Sequence, residues 1–231
     1  MLLAIETSSL VLSCALSDED RLIAEWTVQR KLTHSEHLIP HMDAMLSDAG
    51  ISKGDITAVA SAVGPGSFTG LRIGLATAKT IARIWNVPLI GVDTTEALAW
   101  NMAGSQAYIL PLLDAQRGNV YAALYSAFET VRETVPIHVA PIDTVIAAAS
   151  AHEGPVIALG ESADVYKEKL QAAGISIAPA HNRICRAGSV AMAAAAKLLR
   201  GEIADPMTVV PNYIRRSEAE VLWEQRHPES R

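Results

Sequence analysis

The sequence predicts an α/β protein built of two tandem lobes, each with a mixed sheet and helices. In the first half of the chain, short apolar segments and periodic segments follow one another in the order β-β-β-α-β-α-β-α. A similar but looser order begins again at Ala107. The chain has 231 residues and is 50% hydrophobic, which is enough for a large core. We therefore place the lobes at residues 1–104 and 105–231, and we expect the last helix to pack back on the first lobe.

In the first lobe, tight turns and helix stop signals separate the elements. Gly50 and Gly104 follow two of the helices, where glycine is a common terminator. The predicted strands are Leu2–Ile5, Leu10–Leu16, Arg21–Val28, Thr57–Val63 and Leu89–Val92. The predicted helices are Glu36–Ala49, Leu71–Trp85 and Thr94–Ala103.

In the second lobe, two strands flank a turn at Gln116–Gly118. The predicted strands are Ala107–Leu113, Asn119–Tyr125 and Val156–Leu159. The predicted helices are Pro141–Ala151, Tyr166–Ala173, Ser189–Arg200 and Ser217–Arg226. A repeated mixed sheet with helical crossovers is typical of the actin-like ATPase fold, which is ribonuclease-H-like.

Composition excludes several classes of protein. The formal net charge is −6 and aromatic residues make up 5% of the chain, so strong binding of nucleic acid by this chain alone is not expected. No apolar run approaches the roughly 20 residues that cross a membrane. The first residues are typical of a buried strand rather than a signal peptide. Two cysteines, Cys14 and Cys185, fit a reducing cytosol.

The glycine-rich run from Gly64 to Gly74 is the most specific pattern in the chain. A loop between a strand and a helix can offer free backbone N–H groups to an anion, although most such loops are only tight connections. The P-loop pattern requires a lysine after its second glycine, and Leu71 stands there instead. The glycine spacing also differs from that of the dinucleotide fingerprint.

Three positions correspond to nucleotide-binding places in actin-like kinases. Glu6 and Asp114 end the first strand of each lobe, where a carboxylate would hold a metal-nucleotide. Both could equally cap backbone N–H groups in their turns. Gly160 is followed by Glu161 instead of a second glycine, and that carboxylate would repel phosphate. We expect a degraded nucleotide site.

A histidine cluster lies at the start of the first predicted helix. His37 and His41 are four residues apart, as in a two-histidine zinc site, but the H-E-x-x-H pattern is absent. Thr33 and Glu36 match a capping box instead. We expect solvated histidines and no bound metal.

The helix after the glycine-rich run carries small residues at a spacing of four. Such a row lets a second helix approach closely, and it could face a partner or the chain's own sheet. The row contains Gly70, Gly74, Ala78 and Ala82.

The chain resembles the TsaB (YeaZ) family. The resemblance rests on residues 3–8, His34–Glu36, the Asp114 turn with Val120 and Tyr121, and the segment from Pro211 to Arg215. The strongest match is the glycine-rich run, here called the signature loop, which includes Gly64, Pro65, Gly66, Ser67, Phe68, Thr69, Gly70, Leu71 and Arg72. Glu6 stands where many family members have Asp.

The resemblance implies a bacterial cytoplasmic protein with an accessory, non-catalytic role. TsaB proteins are paralogues of TsaD, which transfers a threonylcarbamoyl group to the adenosine beside the tRNA anticodon, and TsaE is an ATPase that joins the complex. The family interface with TsaD uses first-lobe helices, and TsaB alone can form a homodimer through the same face. We assign to that interface Gly70, Gly74, Leu75, Ala78, Ala82, His37 and His41.

These implications define a specific hypothesis. The chain is expected to be a dimerisation and scaffold subunit that meets tRNA only through the complex and has no cofactor, apart from a possible nucleotide at the TsaD interface. The alternative is an active enzyme, either an actin-like-fold ATPase or a glycopeptidase-like metallopeptidase.

Overall fold

The computed structural model describes residues 1–214, and within this range two five-stranded sheets form the framework. The first sheet contains β1 (Leu2–Glu6), β2 (Val11–Asp18), β3 (Arg21–Gln29), β4 (Ala58–Gly64) and β5 (Leu89–Asp93). The second contains β6 (Tyr108–Asp114), β7 (Asn119–Ser126), β8 (Arg132–Pro141), β9 (Val156–Leu159) and β10 (Ser176–Ile177). The spatial orders are β3-β2-β1-β4-β5 and β10-β9-β6-β7-β8, so the two sheets share one topology.

Helices cover the faces of both sheets. They are α1 (His34–Asp48), α2 (Phe68–Trp85), α3 (Thr94–Trp100), α4 (Ile142–Ser150), α5 (Glu161–Val165), α6 (Lys167–Ala172) and α7 (Ala187–Leu199). Short 3₁₀ turns occur at Lys53–Asp55 and Ala180–Asn182. The predicted order β-β-β-α-β-α-β-α is thus confirmed for the first half. The predicted helix Ser217–Arg226 lies outside the described residues.

Alternating side chains of β1 divide the first lobe into two cores. Leu3 and Ile5 pack with buried residues of α1 and α2, whereas Leu2 and Ala4 pack on the opposite side of the sheet with α3 and α7. The second of these cores also contains Ile109 of β6, so α3 and α7 lie between the two sheets. A third core joins the outer face of the second sheet to α4 and α6.

The helix α7 shows how the two halves of the chain combine. It contacts β1, β2, β4 and β5, although it follows the second sheet in sequence. At its start, the Ala187 amide donates to Ser13 Oγ at 3.0 Å and the Gly188 amide donates to Glu25 Oε1 at 3.0 Å. First-sheet side chains therefore satisfy N–H groups that would otherwise be unpaired at this helix terminus. The boundary between residues 104 and 105 stays a prediction.

The small-residue row of α2 faces the chain's own sheet, which corrects its assignment to a partner interface. A Cβ atom on Gly70 or Gly74 would lie closer than 3.0 Å to Thr7, because the helix and the β1–β2 turn are in close contact. The remaining members of the assigned set on this helix are almost fully buried, with exposures of 3% for Leu75, 0% for Ala78 and 2% for Ala82. These five residues support the fold rather than a contact with another chain.

Substitution at this row should therefore unfold the protein. We expect Ala78→Arg to lower the free energy of unfolding by more than about 3 kcal/mol, because an unpaired charge would enter a packed core. Chemical denaturation followed by circular dichroism measures the effect. Ala76→Arg is the matched control, since Ala76 is exposed on the same helix. Equal stability of the two variants would contradict this packing.

Candidate functional site

The signature loop lies on the first-lobe side of a cleft between the two lobes. Its Ser67 amide donates to Ser8 O at 2.6 Å, and Thr7 Oγ1 donates to Gly70 O at 2.8 Å. A Cβ on Gly66 would lie closer than 3.0 Å to Ser8 O, so a larger residue cannot occupy this position without displacing the turn. Ser67 also caps α2, because its Oγ accepts from the Gly70 amide at 3.2 Å. The glycines of the signature loop thus serve close packing.

The cleft has a volume of about 990 Å³ and is lined by both lobes. Its walls include the signature loop, the Asp114 turn and the start of α5. Interlobe clefts of this size are common ligand sites in α/β proteins.

Beside the cleft, at the β1–β2 turn, lies the fully buried carboxyl group of Glu6. Its Oε1 accepts from the Ser8 amide and from Ser8 Oγ, both at 2.5 Å, and its Oε2 accepts from Cys185 Sγ at 3.3 Å. Burial raises the pKa of Glu6, and the hydrogen bonds from Ser8 and Cys185 only partly oppose this shift. Burial together with the Glu6 carboxyl raises the pKa of Cys185, so its thiol is not an activated nucleophile. Glu6 thus acts as an acceptor that closes its own turn, one of the two alternatives that its sequence context allows.

The second lobe presents carboxylates where a nucleotide would need hydrogen-bond donors. The Asp114 amide donates to Glu161 Oε1 at 3.3 Å, and Asp114 Oδ1 accepts from the Gln116 amide at 2.7 Å. The Gly160 amide donates to Arg183 O at 3.1 Å, and a Cβ at this position would collide with Leu112 O. The amides of Asp114 and Gly160 are therefore already used by the chain itself.

The histidines of the predicted cluster belong to an aromatic stack on the first lobe. The rings of His41 and Trp26 stack with centroids 3.7 Å apart, and the His37 ring lies 5.9 Å from that of His41. Burial lowers the pKa of His34, with a hydrogen bond to the Leu10 backbone opposing it. The expected capping box is wrong, because Thr33 makes no side-chain cap at the start of α1.

Within residues 1–214, no three His, Cys, Asp or Glu side chains are grouped so that they could hold a metal ion. Over that range, no helix is both long and apolar enough to span a bilayer.

Several residues at the cleft escape sequence reasoning. Tyr213 packs against Phe68 with ring centroids 4.9 Å apart and the rings tilted by 30°, and Arg72 Nε donates to the Tyr213 hydroxyl at 2.9 Å. The preceding residue, Asn212, is also held in place, because its backbone N–H donates to Val63 O at 2.7 Å. The segment that carries Tyr213 belongs to the motif at residues 211–215, but nothing in its sequence tells that it crosses α2 to reach the cleft.

The fold and the cleft define a two-lobed protein of the actin-like ATPase class. YeaZ from Pseudomonas aeruginosa superimposes with a TM-score of 0.80 at 23% identity, covering 92% of this chain and 98% of that one. A family model for "TsaD: tRNA N6-adenosine threonylcarbamoyltransferase" matches residues 28–223.

Two relatives carry the name "tRNA threonylcarbamoyladenosine biosynthesis protein TsaB". The one from Bacillus subtilis (strain 168) is 33% identical over 228 residues, covering 96% of this chain and 97% of that protein. The one from Escherichia coli (strain K12) is 35% identical over 131 residues, covering 55% of this chain and 56% of that protein. The chain belongs to the TsaB (YeaZ) family, a member of the wider group that the TsaD model describes.

The buried carboxyl group predicts a pH-dependent difference in stability. The pKa of folded Glu6 lies above its ordinary value of 4.5. The protonated carboxyl group therefore adds to the free energy of unfolding below pH 4.5, and this stabilisation is lost as the pH rises through the folded pKa. Glu6→Gln keeps the Oε1 acceptor and cannot ionise. We therefore expect the stability of this variant, relative to the parent, to increase as the pH rises above 4.5.

Urea denaturation at a series of pH values measures this difference. Glu129→Gln, at an exposed loop position, is the control and should show no such trend. A parallel pH dependence of the parent and Glu6→Gln would contradict the assigned state of the carboxyl group.

Proposed function

We propose that the chain is a non-catalytic, cytoplasmic subunit of tRNA threonylcarbamoyladenosine biosynthesis that pairs with TsaD, while TsaE joins the assembly. Family membership over nearly the whole chain supports the pathway, and the match to the TsaD model supports kinship with the expected partner. In this proposal, the subunit has no cofactor of its own, a nucleotide can lie at the TsaD interface, and the same face forms a homodimer when TsaD is absent.

One observation carries the pairing proposal: the outward face of α2 exposes Ile84 among small side chains. Ile84 is 73% exposed, and Ala76 and Thr80 are exposed on the same face. The Thr77 and Thr80 hydroxyls donate back to helix carbonyls at 2.8 Å, so that their polar groups are satisfied internally. Small side chains with satisfied polar groups suit close packing of a partner helix.

The neighbouring helix extends this surface. Ile39 of α1 is 49% exposed, and α1 lies beside α2. His37 and His41 stay predicted partner contacts, because both are only half-buried and lie on the same helix. The outward face of α2, defined by Ile73, Ala76, Thr77, Thr80 and Ile84, thus replaces the buried row as the proposed interface.

An arginine on this face should abolish pairing without unfolding the chain. We expect Thr80→Arg to weaken TsaD binding by more than about a hundredfold, since an unpaired charge buried in an interface costs several kcal/mol. Co-purification with TsaD and size-exclusion chromatography of the free chain report the hetero- and homodimer. The matched control is Ala147→Arg on α4, an exposed site of the second lobe. A folded Thr80→Arg protein that still binds TsaD would refute the proposed face.

The cleft should give no ATPase activity of its own. The amides of Asp114 and Gly160 are engaged within the chain, and the Glu161 carboxylate would repel phosphate. We expect the isolated chain to release phosphate from ATP only at the background rate. Turnover that Asp114→Ala abolishes would favour the alternative of an active actin-like-fold ATPase.

A further inference from the structure

The first-lobe side of the cleft mouth carries an aromatic pair backed by a cation. Phe68 and Tyr213 both line the cleft. The Arg72 guanidinium lies 3.8 Å from the centre of the Phe68 ring and is fixed by its hydrogen bond to Tyr213. Stacked aromatic and arginine planes are the usual surface on which an unpaired nucleobase is bound.

On the second-lobe side, Arg117 adopts a left-handed backbone conformation that is unfavourable for residues other than glycine. Gln116 and Arg117 have φ values of 63° and 55°, and Gly118 continues the same left-handed turn at 78°. Two adjacent non-glycine residues in this region cost free energy, and such residues concentrate at functional sites. Both side chains line the cleft, and Arg117 is exposed. The turn therefore holds a cation at the entrance.

Acceptors and a buried hydroxyl group line the same cleft as these cations. Asp114 and Glu161 contribute carboxylates to the lining. Thr94 is 1% exposed and lines the same cleft, and within residues 1–214 its Oγ1 has no hydrogen-bond partner. An unsatisfied buried hydroxyl requires a partner, because leaving it unpaired is unfavourable. Carboxylates can accept hydrogen bonds from the two hydroxyls of a ribose.

We propose that the cleft mouth binds one unpaired ribonucleotide of an RNA strand. Its base stacks on the Phe68 and Tyr213 rings, its ribose points toward Asp114 and Glu161, and its phosphodiester stays outside beside Arg117. The inference rests on the proposed function, since the RNA would be the tRNA substrate brought to the cleft by the assembly. Free nucleotides fit less well, because their terminal phosphates would lie near the Asp114 and Glu161 carboxylates, and the lining arginine Arg183 is already paired with Asp164.

The test titrates a short unpaired oligoribonucleotide into the isotope-labelled full chain and follows backbone amide signals by NMR. We expect shifts at Phe68, Arg117 and Tyr213 that weaken as salt is added. The DNA oligonucleotide of the same sequence should bind more weakly, because it lacks the 2′-hydroxyl. ATP should bind more weakly as well.

Two variants make the test specific. Arg117→Gly suits the left-handed turn, so we expect unchanged or higher stability together with about tenfold weaker RNA binding. Arg132→Ala removes the same charge from an exposed position on β8 and should leave RNA binding unchanged. Phe68→Leu keeps an apolar side chain at the start of α2 and should reduce binding by removing the stacking surface.

Each other result overturns the proposal. These results are no shift at the mouth, equal binding of RNA and DNA, tighter binding of ATP than of RNA, and an unaltered affinity in folded Arg117→Gly. The TsaD co-purification experiment is independent of the RNA titration. Intact TsaD binding without RNA shifts would reject the nucleotide site and leave the proposed function standing.

Discussion

The contact between α2 and the β1–β2 turn is the constraint on which the rest of the structure depends. Gly66, Gly70 and Gly74 present bare Cα atoms to Thr7 and Ser8, which lets the Ser67 amide donate to Ser8 O and the Thr7 hydroxyl donate to Gly70 O. This contact fixes the start of α2 beside the cleft and directs its small-residue row into the core. The turn in turn holds the Glu6 carboxyl group in a buried, hydrogen-bonded position. The glycines of the signature loop are therefore required by steric fit between helix and turn, not by an anion.

Polar groups engaged within the chain support the proposal that the cleft lacks the chemistry of a nucleotide site. In the first lobe, the carboxyl group that could have held a metal-nucleotide is directed to Ser8 and Cys185 instead. In the second lobe, Glu161 accepts from the Asp114 amide, so a carboxylate occupies the space where a phosphate would be bound. The first change engages a carboxylate that a metal-nucleotide would need, and the second places an acceptor where a phosphate would need a donor. A cleft of this kind favours ligands that donate hydrogen bonds from hydroxyl groups over ligands that bring phosphate deep inside.

The sequence predicts much of the fold because local periodicity and burial agree in the central strands. β1, β4 and β9 are short buried runs flanked by turns, and all three were expected. β8 was missed although Val135, Ile137 and Val139 alternate along it, because this edge strand is mostly exposed and contains Pro136. At the site, Glu6, Asp114 and the signature loop could be found from motifs. Thr94 and Tyr213 could not, because they reach the cleft through long-range contacts that no local pattern encodes.

The row at Gly70 shows a further limit: a stripe of small residues predicts close packing but does not tell which surface packs against it.

The two faces of α2 have different compositions because the inner face packs on the first lobe and the outer face does not. Its inner face needs small residues because the β1–β2 turn approaches closely, and this need alone accounts for the spacing of four that suggested a partner. Its outer face carries no long charged side chain at Ile73, Ala76, Thr77 or Thr80, and the exposed Arg83 near its end donates to Met207 Sδ at 3.6 Å. Arg72 and Lys79 on the flanks are directed elsewhere, toward Tyr213 and the Val209 carbonyl, where they hold the segment that crosses the helix. Removing these cations from the outer face lowers the desolvation cost of covering it, and covering it would leave the cleft mouth, at the other end of the helix, open. A partner on the outer face and a ligand at the mouth are therefore sterically compatible, which an interface built on the buried row could not have been.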